Sequence, residues 1–213
     1  MVASRKLLII GDSFVAEDVP NFLPQDYQWA WWRRLAEDVK CEPINLAITG
    51  ASNLNIWHQL KHGFQHHNPH NILVVLTAPN RIENINVPIE GDIQYEHFKR
   101  GDITSWAVHD RIAQGELLPD HLKYFDYELA VDRDKIIANS ILSDAVRRPC
   151  VILPNLFDRF TRYHFNIVRE AKPRDWCDVE SGILDEPELG HMYESWHERF
   201  YTEHKEMLLA KLE

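Results

Sequence analysis

Residues 7–10, Leu-Leu-Ile-Ile, form a short unbroken apolar run that stops at Gly11. A run of this length closed by a turn former predicts a buried strand over about residues 6–10. The period then changes. Trp29, Trp32, Leu35, Ala36 and Val39 recur at helical spacing, with Arg33, Arg34, Glu37 and Asp38 on the opposite side, which predicts an amphipathic helix. Pro43 to Ile48 reads as a second strand leading into the turn Thr49-Gly50-Ala51-Ser52, and Ile56, Trp57, Leu60 and Phe64 mark a second helix. Asn71 to Leu76 is the clearest strand, apolar after Asn71 and partly β-branched, as suits the interior of a parallel sheet.

From Asn84 to Glu116 the periodicity fails. Pro88, Gly91, Gly101 and Gly115 interrupt a charged stretch, which predicts an inserted cap or loop excursion over 84–116. A long helix follows over about 119–148, with Leu122, Phe125, Leu129, Ile137, Ile141 and Ala145 expected inward. Cys150 to Leu153 is a fourth strand, stopped by Pro154, and residues 155–187 are aromatic and irregular. Tyr193, Trp196, Phe200, Met207 and Leu208 share one face of a last helix over about 192–212. Strands alternating with helices predict a three-layer α/β/α sandwich on a parallel sheet, one domain over 1–213.

Composition narrows the class. The chain's 213 residues are enough for one substantial core, and 26% charged residues suit a globular chain rather than a disordered one. No apolar run approaches the roughly 20 residues of a membrane span. Four apolar residues after Arg5 and Lys6 fall short of the about 7–15 in a secretory leader, so none is expected. Cys41, Cys150 and Cys177 form no CxxC pair and are odd in number, which predicts reduced thiols and a cytoplasmic location. A formal charge of −10 argues against a nucleic-acid partner.

Chemistry concentrates at predicted strand ends. Ser13 follows the first strand, Gly50 the second and Asn80 the third, and the carboxyl edge of such a sheet is where ligands bind. A serine nucleophile needs a base, and the base needs an orienting group. His191 is the base candidate, with His197 and His204 as rivals on the final helix. Glu188, three residues before His191, is the candidate orienter, with Asp185 or a backbone carbonyl as alternatives. The amides of Ser13 and Gly50 and the side chain of Asn80 would then hold an oxyanion.

These residues resemble the conserved blocks of the SGNH, or GDSL-type, hydrolase superfamily. Gly11-Asp12-Ser13 matches the first block, Asn45 to Ser52 the second with Gly50 as its oxyanion glycine, and Glu188-Leu189-Gly190-His191 the last. Leu76 to Asn80 matches the third loosely: Pro79 and Arg81 flank Asn80 where the family has Gly-x-Asn-Asp, so Thr77 or Arg81 stands as an alternative donor. Glu188 replaces the family's Asp. In its atypical third block the chain resembles SGNH-like proteins of some bacteriophages. The resemblance implies a flavodoxin-like fold, no metal or organic cofactor, and serine-dependent hydrolysis of esters, often acetyl groups on sugars. An acyltransferase, or a binding or assembly protein on the same fold, stays open. The partner implied is a small-molecule or glycan ester, with no membrane involved. Trp106, inside the excursion, is the candidate substrate contact. His58, His62, His66, His67 and His70 read as a solvated face rather than a metal site, since no carboxylate or cysteine completes a ligand set in that tract.

Overall fold

The structure, a computed structural model, describes residues 4–17, 30–77, 81–107, 126–153 and 194–212. The described elements in chain order are β1 (Lys6–Ile10), α1 (Trp31–Asp38), β2 (Glu42–Asn45), α2 (Asn53–His66) and β3 (Asn71–Val75). β4 (Arg81–Ile85), α3 (Tyr95–Lys99), β5 (Ile103–Ala107), α4 (Tyr127–Ala145), β6 (Cys150–Leu153) and α5 (Glu194–Leu209) follow.

β1 is apolar from Leu7 to Ile10 because neither of its faces meets water there. It pairs in parallel with β2 on one side and β3 on the other, and β3 pairs in parallel with β6, giving the order β2-β1-β3-β6. Alternation along each strand divides the side chains between two cores. Leu7, Ile9, Leu73, Val75, Val151 and Leu153 pack beneath α1 and α5, with Trp31, Leu35, Phe200 and Leu208. Leu8, Ile10, Ile72, Val74 and Ile152 pack on the other face beneath α2 and α4, with Ile56, Leu60, Ile141 and Ala145. The three-layer α/β/α sandwich expected from the alternation is what forms. Pro43 sits in β2, which is an edge among the described strands, where a missing N–H is tolerated.

Several element boundaries and contacts differ from the sequence reading. Regular pairing of β2 stops at Asn45 because its Oδ1 accepts the Ala47 N–H at 2.9 Å and turns the chain, although Leu46 N still donates to Ile9 O. Trp31, absent from the expected apolar face of α1, is fully buried and meets Phe200 edge-on. Leu129, expected inward, is 70% exposed. The buried stripe of α4 runs through Ala130, Asp134, Ile137, Ile141 and Ala145, and Leu129 lies on the far side with the exposed Ile136. Leu122 and Phe125, like Trp29, Tyr193 and residues 155–187, lie outside the described residues.

The stretch after Asn84 also contains regular structure. β4 and β5 form an antiparallel pair with Ile82 opposite Trp106, and α3 sits between them in sequence. Tyr95 and Phe98 are buried, and Tyr95 donates its hydroxyl to Leu46 O at 3.2 Å. This docking changes the histidine tract. His58 stacks on Phe98 at 5.3 Å, and His62 packs on Tyr95 and meets Glu96 at 3.1 Å, so neither stands on an open face; His66 and His70 are exposed. Burial, helped by the nearby Lys61 and His97 charges, lowers the His58 pKa to about 4.

α2 comes close enough to the sheet to leave no space at Gly63. A Cβ there would stand 2.4 Å from Leu8 Cδ2 and 2.8 Å from Cδ1, and Leu8 is fully buried in β1. Gly63→Ala is therefore expected to destabilise the protein by about 1–3 kcal/mol, in spite of alanine's better helix propensity. A lower urea midpoint at unchanged m-value is the expected readout; an equal or higher midpoint would mean that α2 moves away at little cost.

Candidate active site

The chain leaves β1 toward β2 and leaves β3 toward β6, in opposite directions across the sheet, so the topological switch point lies between the carboxyl ends of β1 and β3. The turn bearing Ser13 stands there. Asp12 O accepts from Val15 N at 3.1 Å and Ala16 N at 3.0 Å, and Asp12 Oδ1 accepts from Phe14 N at 3.2 Å. The Ser13 amide takes no part in these turn bonds. Ser13 itself is only partly buried.

Three neighbouring side chains hold the turn. Asp12, 1% exposed, accepts at Oδ2 from Thr77 Oγ1 at 2.7 Å, which ties the end of β1 to the end of β3. Gln59 of α2 brackets Gly11, accepting from its N–H at 2.8 Å and donating to its carbonyl at 3.1 Å. Asn45 Nδ2 donates to Val15 O at 2.7 Å. At Gly11 the turn passes so close to β3 that a Cβ would lie 2.9 Å from Val75 O.

Gly50 occupies the second turn. Ala51 N donates to Ile48 O at 3.0 Å, and Gly50 has φ +75°, the conformation that the third position of a type II turn reserves for glycine. The Gly50 amide is outside that turn bond, and its carbonyl accepts from Arg81 Nη1 at 3.2 Å. Ser52 caps α2, accepting from Asn55 N at 3.2 Å, and donates its hydroxyl to Glu83 in a short bond.

The structure thus brings Ser13, Asp12 and Thr77 together at one strand end, and Gly50 and Arg81 together beside the second turn. Both Thr77 donors are committed, the hydroxyl to Asp12 and the amide to Asn53 Oδ1 at 2.9 Å, which leaves neither for an oxyanion. Arg81, the other alternative donor, lies against the Gly50 turn. Trp106 is placed on β5 opposite Ile82. His191, Glu188, Asp185 and Asn80 lie outside the described residues. Of the rival histidines, His197 is buried and its Nδ1 accepts from Trp31 N at 3.2 Å. A neutral imidazole accepting at Nδ1 carries its proton on Nε2 and has no second lone pair to act as a base.

Sequence reasoning missed a polar layer beneath these turns. Asn53 donates to Thr77 O at 2.9 Å and to Asp134 Oδ2 at 2.7 Å. Arg133 forks to Glu83 Oε2 at 3.0 Å and Arg81 O at 3.1 Å. The available signal was Asn53, Asn55 and Gln59 interleaved with Ile56 and Leu60, since polar side chains on a core face need partners. Asp134 has no exposed surface, and burial pushes its pKa up to about 7 against the pull of the Asn53 amide and the Arg133 guanidinium. Among the described residues no group of three or more His, Cys, Asp or Glu side chains is arranged to hold a metal ion. Nor is any described helix long and apolar enough to cross a membrane.

No family model and no curated protein matches the chain. Solved structures similar to it include TesA, at 12% identity and TM-score 0.47 over 98% of this chain and 100% of that one. Another is the psychrotrophic esterase EstA from Pseudoalteromonas sp., inhibited by monoethylphosphonate, at 13% identity and TM-score 0.46 over 98% of each chain. A third is a protein from Parabacteroides merdae named as a GDSL-like lipase, at 10% identity and TM-score 0.32 over 95% of this chain and 75% of that one.

The buried Asp134 makes stability depend on pH. Its folded pKa of about 7 lies above the ordinary 3.8, so the folded state holds more protons between those values and stability falls as pH rises through that interval. Asp134→Asn lacks this titration while keeping an acceptor for Asn53. Its Tm relative to wild type is expected to rise by a few degrees from pH 4 to pH 8. An equal difference at both pH values would show that Asp134 ionises normally.

Proposed function

We propose that the protein is a serine-dependent ester hydrolase acting on an O-acyl group, most simply O-acetyl, of a carbohydrate or small metabolite in the cytoplasm. The observation that carries this reading is the Ser13 turn at the switch point of the parallel sheet, with its amide outside the turn's own hydrogen bonds and the Gly50 turn on the neighbouring strand. The order of the four sequence blocks supports it.

In this reading Ser13 Oγ attacks the acyl carbon while His191 Nε2 takes the hydroxyl proton, and Glu188, or Asp185 in its place, orients the imidazole. The tetrahedral oxyanion is held by the Ser13 and Gly50 amides and the Asn80 side chain, with Arg81 beside Gly50 as a further donor. Collapse expels the alcohol, which leaves with the proton from His191. Water then adds to the acyl-enzyme by the same route in reverse roles, releasing the acid and restoring Ser13. The scheme draws on no metal or organic cofactor. The segment 84–116 would cap the site, with Trp106 offered to a sugar face.

Turnover of p-nitrophenyl acetate and butyrate tests the scheme, alongside Ser13 labelling by a fluorophosphonate. Wild type is expected to turn over and to label, and Ser13→Ala and His191→Ala each to lose about 10³-fold or more in kcat. A wild type inert to both ester and probe would favour a binding protein on this fold, as would fit Pro79 and Arg81 around Asn80 in place of Gly-x-Asn-Asp. Acyl transfer to added alcohols in place of hydrolysis would identify an acyltransferase.

A further inference from the structure

Two consecutive residues of α4 reach the two turns from below. Arg133 Nη1 meets Glu83 Oε2 at 3.0 Å, and the other Glu83 oxygen accepts from Ser52, the residue that caps α2 two positions after Gly50. Arg133 Nη2 donates to Arg81 O at 3.1 Å, holding the start of β4 where Arg81 Nη1 reaches Gly50 O at 3.2 Å. One guanidinium therefore grips the Gly50 turn from both sides. Asp134, the next residue, accepts from Asn53 at 2.7 Å; Asn53 exchanges two bonds with the Thr77 backbone, and Thr77 donates to Asp12 beneath Ser13.

We propose that Arg133 and Asp134 are positioning residues that lock the Ser13 turn and the Gly50 turn to one helix, so that the two amides of the oxyanion site keep a fixed separation. The inference rests on the ester-hydrolase reading of those turns. Its physical logic is that the two donors come from separate strand ends, and the bonds described between their loops, Ile48 N to Gly11 O at 3.3 Å and Asn45 Nδ2 to Val15 O at 2.7 Å, both start from residues upstream of the Gly50 peptide. A preorganised oxyanion site needs its donors fixed before charge develops. The forked guanidinium does this by bonding a carboxylate and a backbone carbonyl at once, one through each terminal nitrogen.

The test compares wild type with Arg133→Met, Arg133→Lys and Glu83→Gln. Arg133→Met is expected to lower kcat on p-nitrophenyl acetate by about 10- to 100-fold with KM within about 2-fold, and to slow fluorophosphonate labelling of Ser13 in parallel. Arg133→Lys keeps the charge, loses the fork, and stays impaired; Glu83→Gln keeps the Ser52 acceptor and falls in the same direction. Amide hydrogen exchange supplies a readout independent of turnover. In Arg133→Met, exchange at residues 48–53 is expected to accelerate about 10-fold while residues 71–75 of β3 stay protected. Wild-type kcat and labelling in Arg133→Met, or Arg133→Lys restoring both, would overturn the positioning role and leave the hydrolase reading intact. A wild type that neither turns over nor labels would sink that reading, and the exchange data would still decide whether Arg133 holds the Gly50 turn. Loss of protection at 71–75 as well would reduce Arg133 to a general stabiliser and overturn the proposal.

Discussion

A buried carboxylate sits between two strand ends, and the candidate site is built around it. Asp12 has almost no contact with water, and a carboxylate there is tolerable only if its oxygens are satisfied. Thr77 Oγ1 and the Phe14 amide supply donors, one from the end of β3 and one from the Ser13 turn itself. The same bond that satisfies Asp12 Oδ2 thus fixes the spacing of two loops across the switch point. Ser13 inherits its placement from a neighbour that does not itself need to touch a substrate.

The polar demand spreads outward from there. Thr77 gives its amide to Asn53, Asn53 gives its own to Asp134, and α4 closes the circuit through Arg133 and Glu83 to Ser52. The members bond chiefly to one another, although Asp134 Oδ1 and Arg133 Nε are buried with no hydrogen-bond partner among the described residues. This explains why α2 and α4, which cover one face of the sheet with apolar residues, become polar where they pass under the strand ends. The opposite face, beneath α1 and α5, is dominated by Trp31, Trp32, Leu35 and Phe200.

The segment after Asn84 is joined to this layer at one end and to α2 at the other. Glu83 and Arg81 of β4 belong to the polar circuit, whereas Tyr95 and Phe98 of α3 pack their rings on His62 and His58, with the Tyr95 hydroxyl donating to Leu46 O. The hairpin is consequently held both by hydrogen bonds beneath the Gly50 turn and by packing on the flank of α2. His58, held neutral by burial to a pKa of about 4, contributes to that packing as an aromatic surface rather than as a charge.

The strands and the face of most helices were legible in the chain because burial on both sides of a parallel sheet demands unbroken apolar runs, and burial on one side of a helix demands a stripe. Leu7 to Ile10, Asn71 to Val75 and Cys150 to Leu153 carry that signature directly. Ser13 and Gly50 were legible for a related reason: a turn at a strand end needs particular residue types. Leu129 was misplaced because one apolar residue beside a stripe cannot be told from one within it until a neighbour is present. β4, α3 and β5 left no trace in the periodicity, since a hairpin covered mostly on one side and a helix of a single turn are too short to show a period. Arg133, Asp134, Glu83 and Asn53 are ordinary surface types in isolation, spread over three elements and about 80 positions of chain. Their partnership follows only from the way α2, β4 and α4 converge beneath the strand ends, where burial of Asn53 and Asp134 demands hydrogen-bond partners and the adjacent Arg133 meets Glu83.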